Sequence, residues 1–239
     1  MSDLAGFMAS IGVTQGMAQI VCIIGNKGGT GKTTLSHMIA HGIGLLGKRS
    51  VCVLTDISRE KLSKESRNYL PFDARSPDNL HKVIRTITNV PDWFGVIDGG
   101  GNRPATDRML AEPADLVLLP FRDSHEDIRT VMSDLERFPR ARALPSQWPT
   151  NSFARAAADK MLESQMGHFR HRILPPVPMF SSSKLLLQSE VPERLPPSLN
   201  NVCRQLARNV FALWGISETG DPVPVEDILS ALVKDVADT

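Results

Sequence analysis

Apolar runs alternate with longer amphipathic segments along most of the chain. The runs that predict buried strands are 20–24, 50–55, 93–98, 115–120, 141–144 and 169–174. The segments with apolar residues at helical spacing are 32–46, 78–90, 124–137, 152–166, 181–189 and 198–214. A charged, proline-containing stretch at 57–77 predicts a loop. Strands that alternate with helices are typical of an α/β fold, with a mostly parallel twisted sheet and helices on both faces.

The same pattern divides the chain into one domain and two ends. Residues 19–216 hold the strand and helix segments and predict a single domain, preceded by an N-terminal extension at 1–18. That extension has weak helical spacing and either packs on the domain or docks on a partner or membrane. Residues 217–239 predict an amphipathic helix. From position 225 onwards this segment contains four acidic residues and a single basic residue, Lys234. Anionic lipid would therefore repel it, and we expect it to pack on the domain or at a dimer interface.

Composition narrows the class of protein. Hydrophobic residues make up 41% and charged residues 22%, which is ordinary for a globular protein. The net charge is +1, so any nucleic-acid binding needs a local basic patch. The three cysteines are far apart in sequence, form no metal-binding cluster and suggest a reducing, cytoplasmic compartment. No signal peptide or uninterrupted apolar span is present, so stable membrane insertion is not expected.

A glycine-rich segment follows the first predicted strand and opens the first predicted helix. It reads Lys27-Gly-Gly-Thr-Gly-Lys-Thr-Thr34. Glycines let successive backbone N–H groups converge on one anion, and the helix N-terminus behind them favours negative charge. Lys32 would neutralise the β- and γ-phosphates of a nucleotide, and the Thr33 hydroxyl would hold Mg²⁺. The segment therefore predicts a phosphate-binding loop, with a second lysine, Lys27, five residues before the usual one.

Acidic residues stand at the ends of two other predicted strands. Asp56 follows the second strand, and Asp98 ends the strand that precedes Gly99-Gly-Gly101. Ligand-contacting residues gather at the carboxyl ends of strands in open α/β sheets. Carboxylates suit Mg²⁺, a hard ion that keeps several of its waters.

The phosphate-loop segment resembles the deviant Walker A motif of the ParA/MinD family of P-loop ATPases. The resemblance extends over roughly 20–213 and implies a P-loop NTPase fold. It implies that Lys27 reaches the phosphates of a partner subunit in an ATP-bound homodimer. It also implies ATP and Mg²⁺ as cofactors, Asp98 and Thr33 as magnesium-binding residues, and Asp56 as the residue that positions water. The predicted catalytic residues are thus Lys27, Lys32 and Asp56.

The nucleotide itself is expected on the loop and on a later proline-rich segment, Pro175-Pro-Val-Pro178, which resembles the family's adenine-lining loop. The predicted nucleotide-binding residues are Gly28, Gly29, Thr30, Gly31, Lys32, Thr33, Thr34 and Pro178.

The chain departs from the family pattern in two places. Leu54 stands where family members commonly have the first aspartate of Asp-x-Asp. Leu144-Pro-Ser-Gln-Trp148 stands where they often have Leu-Asn-Arg, whose asparagine contacts adenine. Trp148 is expected either to stack on the base or to pack against the protein.

Exposed arginines near the C-terminus are the candidates for binding nonspecific DNA. Arg204 and Arg208 lie on the polar face of the helix predicted at 198–214, and Arg194 precedes it. ParA-type proteins use scattered basic residues in this region to hold DNA phosphates. Two or three contacts per subunit are weak, but a dimer doubles them.

The resemblance predicts a slow, dimerising ATPase that associates with the nucleoid and is stimulated by an adaptor or activator protein. Its cargo is either plasmid or chromosomal DNA, or a protein machine such as a chemoreceptor cluster, secretion apparatus or microcompartment. A nucleotide-bound scaffold with little hydrolysis is a third interpretation, which the leucine at 54 keeps open.

Overall fold

The computed structural model describes residues 19–56, 62–74, 76–89, 92–100 and 104–216. Six strands form one parallel sheet in the order β3-β2-β4-β1-β5-β6. They are β1 Gln19–Ile23, β2 Arg49–Leu54, β3 Leu70–Asp73, β4 Trp93–Asp98, β5 Leu116–Phe121 and β6 Arg142–Pro145. The predicted α/β fold class is confirmed.

Helices cover both faces of this sheet. They are α1 Lys32–Leu45, α2 Pro77–Asn89, α3 Pro104–Ala111, α4 His125–Arg137, α5 Ser152–Met166 and α6 Pro197–Trp214, with 3₁₀ segments at Gly167–Arg172 and Ser181–Leu187. Helices α2 to α5 pack with one face of the strands in one apolar cluster. Helices α1 and α6 pack with the other face in a second cluster. Because both faces are buried, the strands are apolar throughout rather than alternating.

Three sequence predictions need correction. The segment predicted as a loop contains β3, an edge strand that accommodates Pro71 because it pairs only with β2. Helix α3 was not predicted. The strand predicted at 169–174 is wrong: α5 continues into the 3₁₀ segment Gly167–Arg172, and only Ile173 bridges to the sheet.

The end of that 3₁₀ segment explains the difference. Arg172 donates hydrogen bonds to the carbonyl oxygens of Leu135, Phe138 and Ala141, the first at 3.1 Å and the second at 2.7 Å. These are backbone groups at and beyond the end of α4, which lack helical partners. Arg172 therefore holds the C-terminal end of α4 in place. The segment 181–189, predicted as a helix, is a 3₁₀ helix at Ser181–Leu187.

All strands run parallel, so the segments that follow them meet at one edge of the sheet. Ile23 of β1 lies beside Asp98 of β4 on one side and Leu118 of β5 on the other. Leu54 of β2 also lies beside Asp98. The loops after β1, β2, β4, β5 and β6 are therefore neighbours. Among the described helices none has the length and apolar character needed to cross a membrane. The predicted extension at 1–18 and helix at 217–239 lie outside the described residues.

Candidate functional site

The loop between β1 and α1 has the backbone shape of an anion cradle. Gly25, Gly29 and Gly31 have φ values of +142°, +77° and +85°, a region that side chains with a Cβ rarely adopt. Gly28 and Gly29 are exposed. Gly31 caps α1 without a side-chain hydrogen bond, so no side chain occupies the first N–H groups of the helix. A phosphate group can therefore approach the backbone closely at this point.

Lys32 lies at the centre of the cradle and is 6% exposed. Its Nζ donates a hydrogen bond to the Lys27 carbonyl oxygen at 2.7 Å, so the ammonium group already closes the loop. Burial lowers the pKa of Lys32, and nearby carboxylates, Asp107 foremost, oppose that shift. A buried cation in this position is suited to an anionic ligand.

Two buried carboxylates that the sequence pattern did not single out hold the start of the loop. Asp134 of α4 accepts hydrogen bonds from Asn26, at 2.6 Å from Nδ2 and 3.3 Å from the backbone N–H. Asp107 of α3 accepts one from the Gly25 backbone. Burial raises the pKa of Asp107 to about 6, although Lys32 acts against this. In the sequence both residues look like ordinary polar positions of a helix, so only the fold shows that they contact the loop.

Lys27 is held by its own chain. Its Nζ lies 2.5 Å from Glu126 Oε1 in the first turn of α4, and the two side chains are 29% and 64% exposed. The pair lies at the surface, where such contacts contribute little to stability and exchange readily. Lys27 is therefore placed at the mouth of the loop, on the protein surface, rather than inside the cradle.

The predicted magnesium-binding residues come to the same edge. Thr33 lies in the first turn of α1 and Asp98 at the end of β4, and both are buried. The Asp98 Oδ1 atom lies 3.4 Å from the Gly100 backbone N, from which it accepts a hydrogen bond. A hydroxyl and a carboxylate are hard oxygen donors and fit Mg²⁺ with retained waters. Within the described residues no cluster of three or more His, Cys, Asp or Glu side chains is placed to hold a metal ion.

Asp56 lies on the segment that follows β2, the neighbour of β4 in the sheet. It comes two residues after β2, and the Thr55 hydroxyl donates a hydrogen bond to the Asp98 carbonyl oxygen at 2.7 Å. That bond ties the segment after β2 to the end of β4. Leu54, in place of the family's first aspartate, packs against the apolar core. The structure thus brings the segments of Asp56 and Asp98 together, with an apolar side chain at 54.

A cavity of about 280 Å³ opens next to the loop. Its wall includes Gly31 and Thr34 from the loop side and Pro178, Met179 and Phe180 from the opposite side. Its position at the start of α1 and the apolar residues in its wall suit an apolar group attached to a phosphate chain. The predicted Pro178 is therefore in a suitable place, and the residues of the cradle and the cavity together fit a nucleotide.

The segment after β6 supports the loop from the cavity side. Ser146 Oγ donates to the Thr30 carbonyl oxygen at 2.7 Å, and Gln147 Nε2 donates to the Gly29 carbonyl oxygen at 2.9 Å. Gln147 has a φ of +52° and lines the cavity. It belongs to the segment that stands in place of Leu-Asn-Arg, and the sequence pattern did not indicate a role for it. The available signal in the sequence was a polar side chain within a segment that departs from the family pattern.

Trp148 is not a base-stacking residue. It is 1% exposed, its Nε1 donates to Asp159 Oδ1 at 2.9 Å, and its ring lies edge-on to Phe121. It packs in the core beneath the segment that carries Gln147.

The predicted DNA-contacting residues lie apart from the loop. Helix α6 packs on the later turns of α1, where Asn200 Oδ1 lies 2.9 Å from His41 Nε2. Arg194 and Arg208 are exposed, and Arg204 is half-buried with a hydrogen bond to Asn201 Oδ1 at 3.4 Å. Arg204 and Arg208 therefore lie on a helix that packs against the later turns of α1, at the other end of α1 from the cradle.

Comparison with protein-family models gives no match, and no curated protein matches the sequence. Solved structures do match. An ATP complex of a McdA variant from Cyanothece has a TM-score of 0.58 at 15% identity and covers 85% of this chain and 99% of its own. The septum site-determining protein MinD of Pyrococcus horikoshii with Mg-ADP has a TM-score of 0.57 at 16% identity, covering 83% and 98%.

A plasmid partition protein of Borrelia burgdorferi bound to AMPPNP has a TM-score of 0.58 at 10% identity, covering 82% and 99%. At these identities the likeness concerns the fold. The chain therefore has the α/β fold of the P-loop NTPases, in the form that MinD, McdA and this plasmid partition protein share.

Proposed function

We propose that this chain is an ATPase of the ParA/MinD type, which closes into a dimer around ATP and Mg²⁺. The observation that carries this proposal is the convergence at one sheet edge of the glycine cradle, buried Lys32, the strand-end carboxylates Asp56 and Asp98, and an adjacent cavity. The nucleotide-bound neighbours support it, since each holds ATP, Mg-ADP or AMPPNP in a similar fold.

Different parts of the chain would bind the phosphates, the base and the metal ion. Backbone N–H groups from Gly28 to Thr34 would hold the phosphates, with the ammonium group of Lys32 moving from the Lys27 carbonyl to a phosphate oxygen. The cavity beside Pro178 would receive the base. Thr33 and Asp98 would hold Mg²⁺, which when bound offsets charge on the phosphate oxygens.

Hydrolysis would depend on Asp56 and the two lysines. Asp56 would orient the attacking water or accept its proton, while Lys32 and Lys27 offset the charge on the transferring phosphoryl group. Lys27 must leave Glu126 to reach the partner's phosphates. Because one cation is supplied in trans, we expect the monomer to hydrolyse ATP slowly. The ATPase activity should depend on dimerisation and on an activator protein.

Dimerisation tests this proposal directly. Sedimentation of the full chain with AMPPNP should show a dimer, whereas ADP or no nucleotide should leave monomers. Lys27→Ala should bind AMPPNP yet remain monomeric, and Lys32→Ala should lose binding itself. Lys160→Ala, at an exposed position on α5, is the matched control and should behave as wild type. A monomeric wild-type complex with AMPPNP would contradict the proposal.

The dimer would bind DNA without sequence preference and position a cargo on the nucleoid. Each subunit contributes Arg194, Arg204 and Arg208, too few contacts for tight binding alone, so closure of the dimer would switch binding on. The cargo would be plasmid or chromosomal DNA or a protein machine, recognised through an adaptor protein. The localisation of a fluorescent fusion separates these two cargo classes.

A scaffold that binds ATP without appreciable turnover is a second candidate, favoured by Leu54 packing into the core where the family has an acid. Turnover by wild type, Lys32→Ala and Asp56→Ala distinguishes the two. An ATPase should lose activity in both variants. Equal and negligible phosphate release by all three, with AMPPNP binding retained by wild type, would favour the scaffold.

A further inference from the structure

Arg122 lies at the rim of the phosphate loop, and no sequence motif indicated a role for it. It directly follows β5, the neighbour of β1, and the Ile24 backbone N–H donates to the Leu118 carbonyl oxygen at 3.1 Å. The first residue beyond β5 therefore stands next to the loop beyond β1. A Cβ placed on Gly29 would stand 3.9 Å from Arg122 Nη1, which brings the guanidinium group to the exposed part of the cradle.

The base of this guanidinium group is fixed. Arg122 Nε donates to Asp127 Oδ2 at 3.0 Å, and the Arg122 backbone N–H donates to the same oxygen at 3.1 Å. Ser124 Oγ donates to the other oxygen, Oδ1, at 2.9 Å. Asp127 is 1% exposed, so it is a rigid anchor. Burial acts to raise the pKa of Asp127, but the hydrogen bonds from Arg122 and Ser124 outweigh it and lower that pKa.

The outer end of Arg122 is available. Its side chain is 38% exposed, and in the described part of the chain its Nη atoms make no hydrogen bond or ion pair. A guanidinium whose Nε is held while both Nη groups face outward has the geometry of a two-pronged phosphate contact.

We propose that Arg122 is a phosphate-binding residue of this nucleotide site, and that its guanidinium group contacts the terminal phosphate at the rim formed by Gly28 and Gly29. Asp127 is the positioning residue that aims it. This inference rests on the proposed function, because it requires a nucleotide on the loop. It adds a cation to the two lysines and gives the site a means of distinguishing a triphosphate from a diphosphate.

The test is the affinity for AMPPNP relative to ADP, measured by calorimetry on the full chain. Arg122→Gln should weaken AMPPNP binding about 10- to 100-fold, the loss expected for a charge-assisted contact, and change ADP binding little. Arg122→Lys should restore part of the difference. Arg129→Gln, at an exposed arginine on α4, is the matched control. Asp127→Asn should reduce the same ratio while a thermal melt shows the variant folded.

The outcomes separate the two proposals. If wild type binds neither nucleotide, the proposed function fails. If wild type prefers AMPPNP and Arg122→Gln keeps that preference, or loses both nucleotides equally, only the role of Arg122 is overturned. A loss seen at concentrations where the chain is monomeric assigns the contact to the chain's own nucleotide. A loss confined to dimer-forming conditions assigns it to the partner's nucleotide.

Discussion

Asp107 and Lys32 show how single side chains at this site depend on their surroundings. Both side chains are buried, and burial lowers the pKa of Lys32 and raises that of Asp107 to about 6. The opposite charge of each residue acts against the shift of the other. Asp107 also accepts a hydrogen bond from the Gly25 backbone, at the start of the loop. The carboxyl group can accept this hydrogen bond in either protonation state, but burial makes its charged form unfavourable in the folded protein.

The sign of this effect can be worked out. The pKa of Asp107 in the folded chain lies above its ordinary value of 3.8. Its contribution to stability is therefore complete below pH 3.8 and is lost as the pH rises through about 6. Asp107→Asn keeps an oxygen for the Gly25 N–H and removes the ionisation. Relative to wild type, the variant should gain up to about 3 kcal/mol in free energy of unfolding between about pH 4 and 7.5.

Urea unfolding across that pH range measures the difference. Glu112→Gln, at an exposed carboxylate just after α3, is the control and should follow the wild-type profile. Parallel profiles for wild type and Asp107→Asn would show that the buried carboxyl group does not titrate as described.

At the scale of elements, two glycines of α1 set how closely its neighbours approach. A Cβ on Gly42 would lie 2.1 Å from the Cys203 carbonyl oxygen of α6, and one on Gly44 would lie 1.8 Å from the Asn68 carbonyl oxygen. Both obstacles are backbone atoms, which cannot move without shifting an element. Glycine has a lower helix propensity than alanine, but at these two positions it lets α6 and the segment before β3 pack directly on α1.

Gly42→Ala should therefore destabilise the protein by about 2 kcal/mol or more, because α6 must move away from α1. Gly167→Ala is the matched control: a Cβ there meets nothing within 4 Å, and the backbone is right-handed with a φ of −52°. It should be neutral or slightly stabilising. Chemical unfolding compares the two, and equal stabilities would contradict the packing account.

Arg67 joins the segment before β3 to a segment that includes part of the cavity wall. It is 2% exposed and donates to the Ser63 carbonyl oxygen at 2.8 Å, the Tyr69 hydroxyl at 2.6 Å and the Leu186 carbonyl oxygen at 2.8 Å. A further bond reaches the Gln188 carbonyl oxygen at 2.5 Å. The residue thus fastens the segment before β3 to the 3₁₀ helix Ser181–Leu187, part of which lines the cavity.

Arg67→Met would leave these buried carbonyl groups without a donor and should cost about 2–4 kcal/mol. If the cavity holds the base, the variant should lose affinity for ATP more than for tripolyphosphate, which lacks a base. Arg155→Met, at an exposed position on α5, is the control for both measurements. Equal losses for the two ligands would separate Arg67 from the cavity.

For the whole molecule, the proposed DNA binding depends on two copies acting together. The chain has a net charge of +1, and two of its candidate arginines, Arg204 and Arg208, lie on α6. We therefore expect DNA retention with ATP and little with ADP. Arg204→Glu with Arg208→Glu should abolish retention while leaving AMPPNP-induced dimerisation intact.

Gel shifts with nonspecific duplex DNA test this expectation. The charge-matched control is Arg155→Glu with Arg170→Glu, at two exposed positions. Equal retention with ATP, with ADP and in the double variant would remove the nucleotide-dependent switch. A chain shortened to residues 1–216 would test the proposal that 217–239 packs on the domain, because loss of such a helix should lower the unfolding temperature.

Local patterns in the sequence were sufficient for the α/β class, most strands and helices, and the phosphate loop. These features depend on residues close together in the chain: apolar periodicity, glycines in a tight turn, and a lysine and hydroxyl at fixed offsets. The edge strand Leu70–Asp73 was missed because Pro71 and the surrounding charges suggest a loop. The strand predicted at 169–174 failed because Arg172 binds the end of another helix.

The tertiary structure alone decided which distant residues meet at the loop. Asp107, Asp134, Gln147 and Arg122 come from four different segments, and each contacts or approaches the loop. Parallel strands bring their following segments to one edge, so residues more than eighty positions apart become neighbours there. The sequence by itself determined the cradle, whose atoms are local. Its support and its charges depend on pairing between strands, which no local pattern specifies.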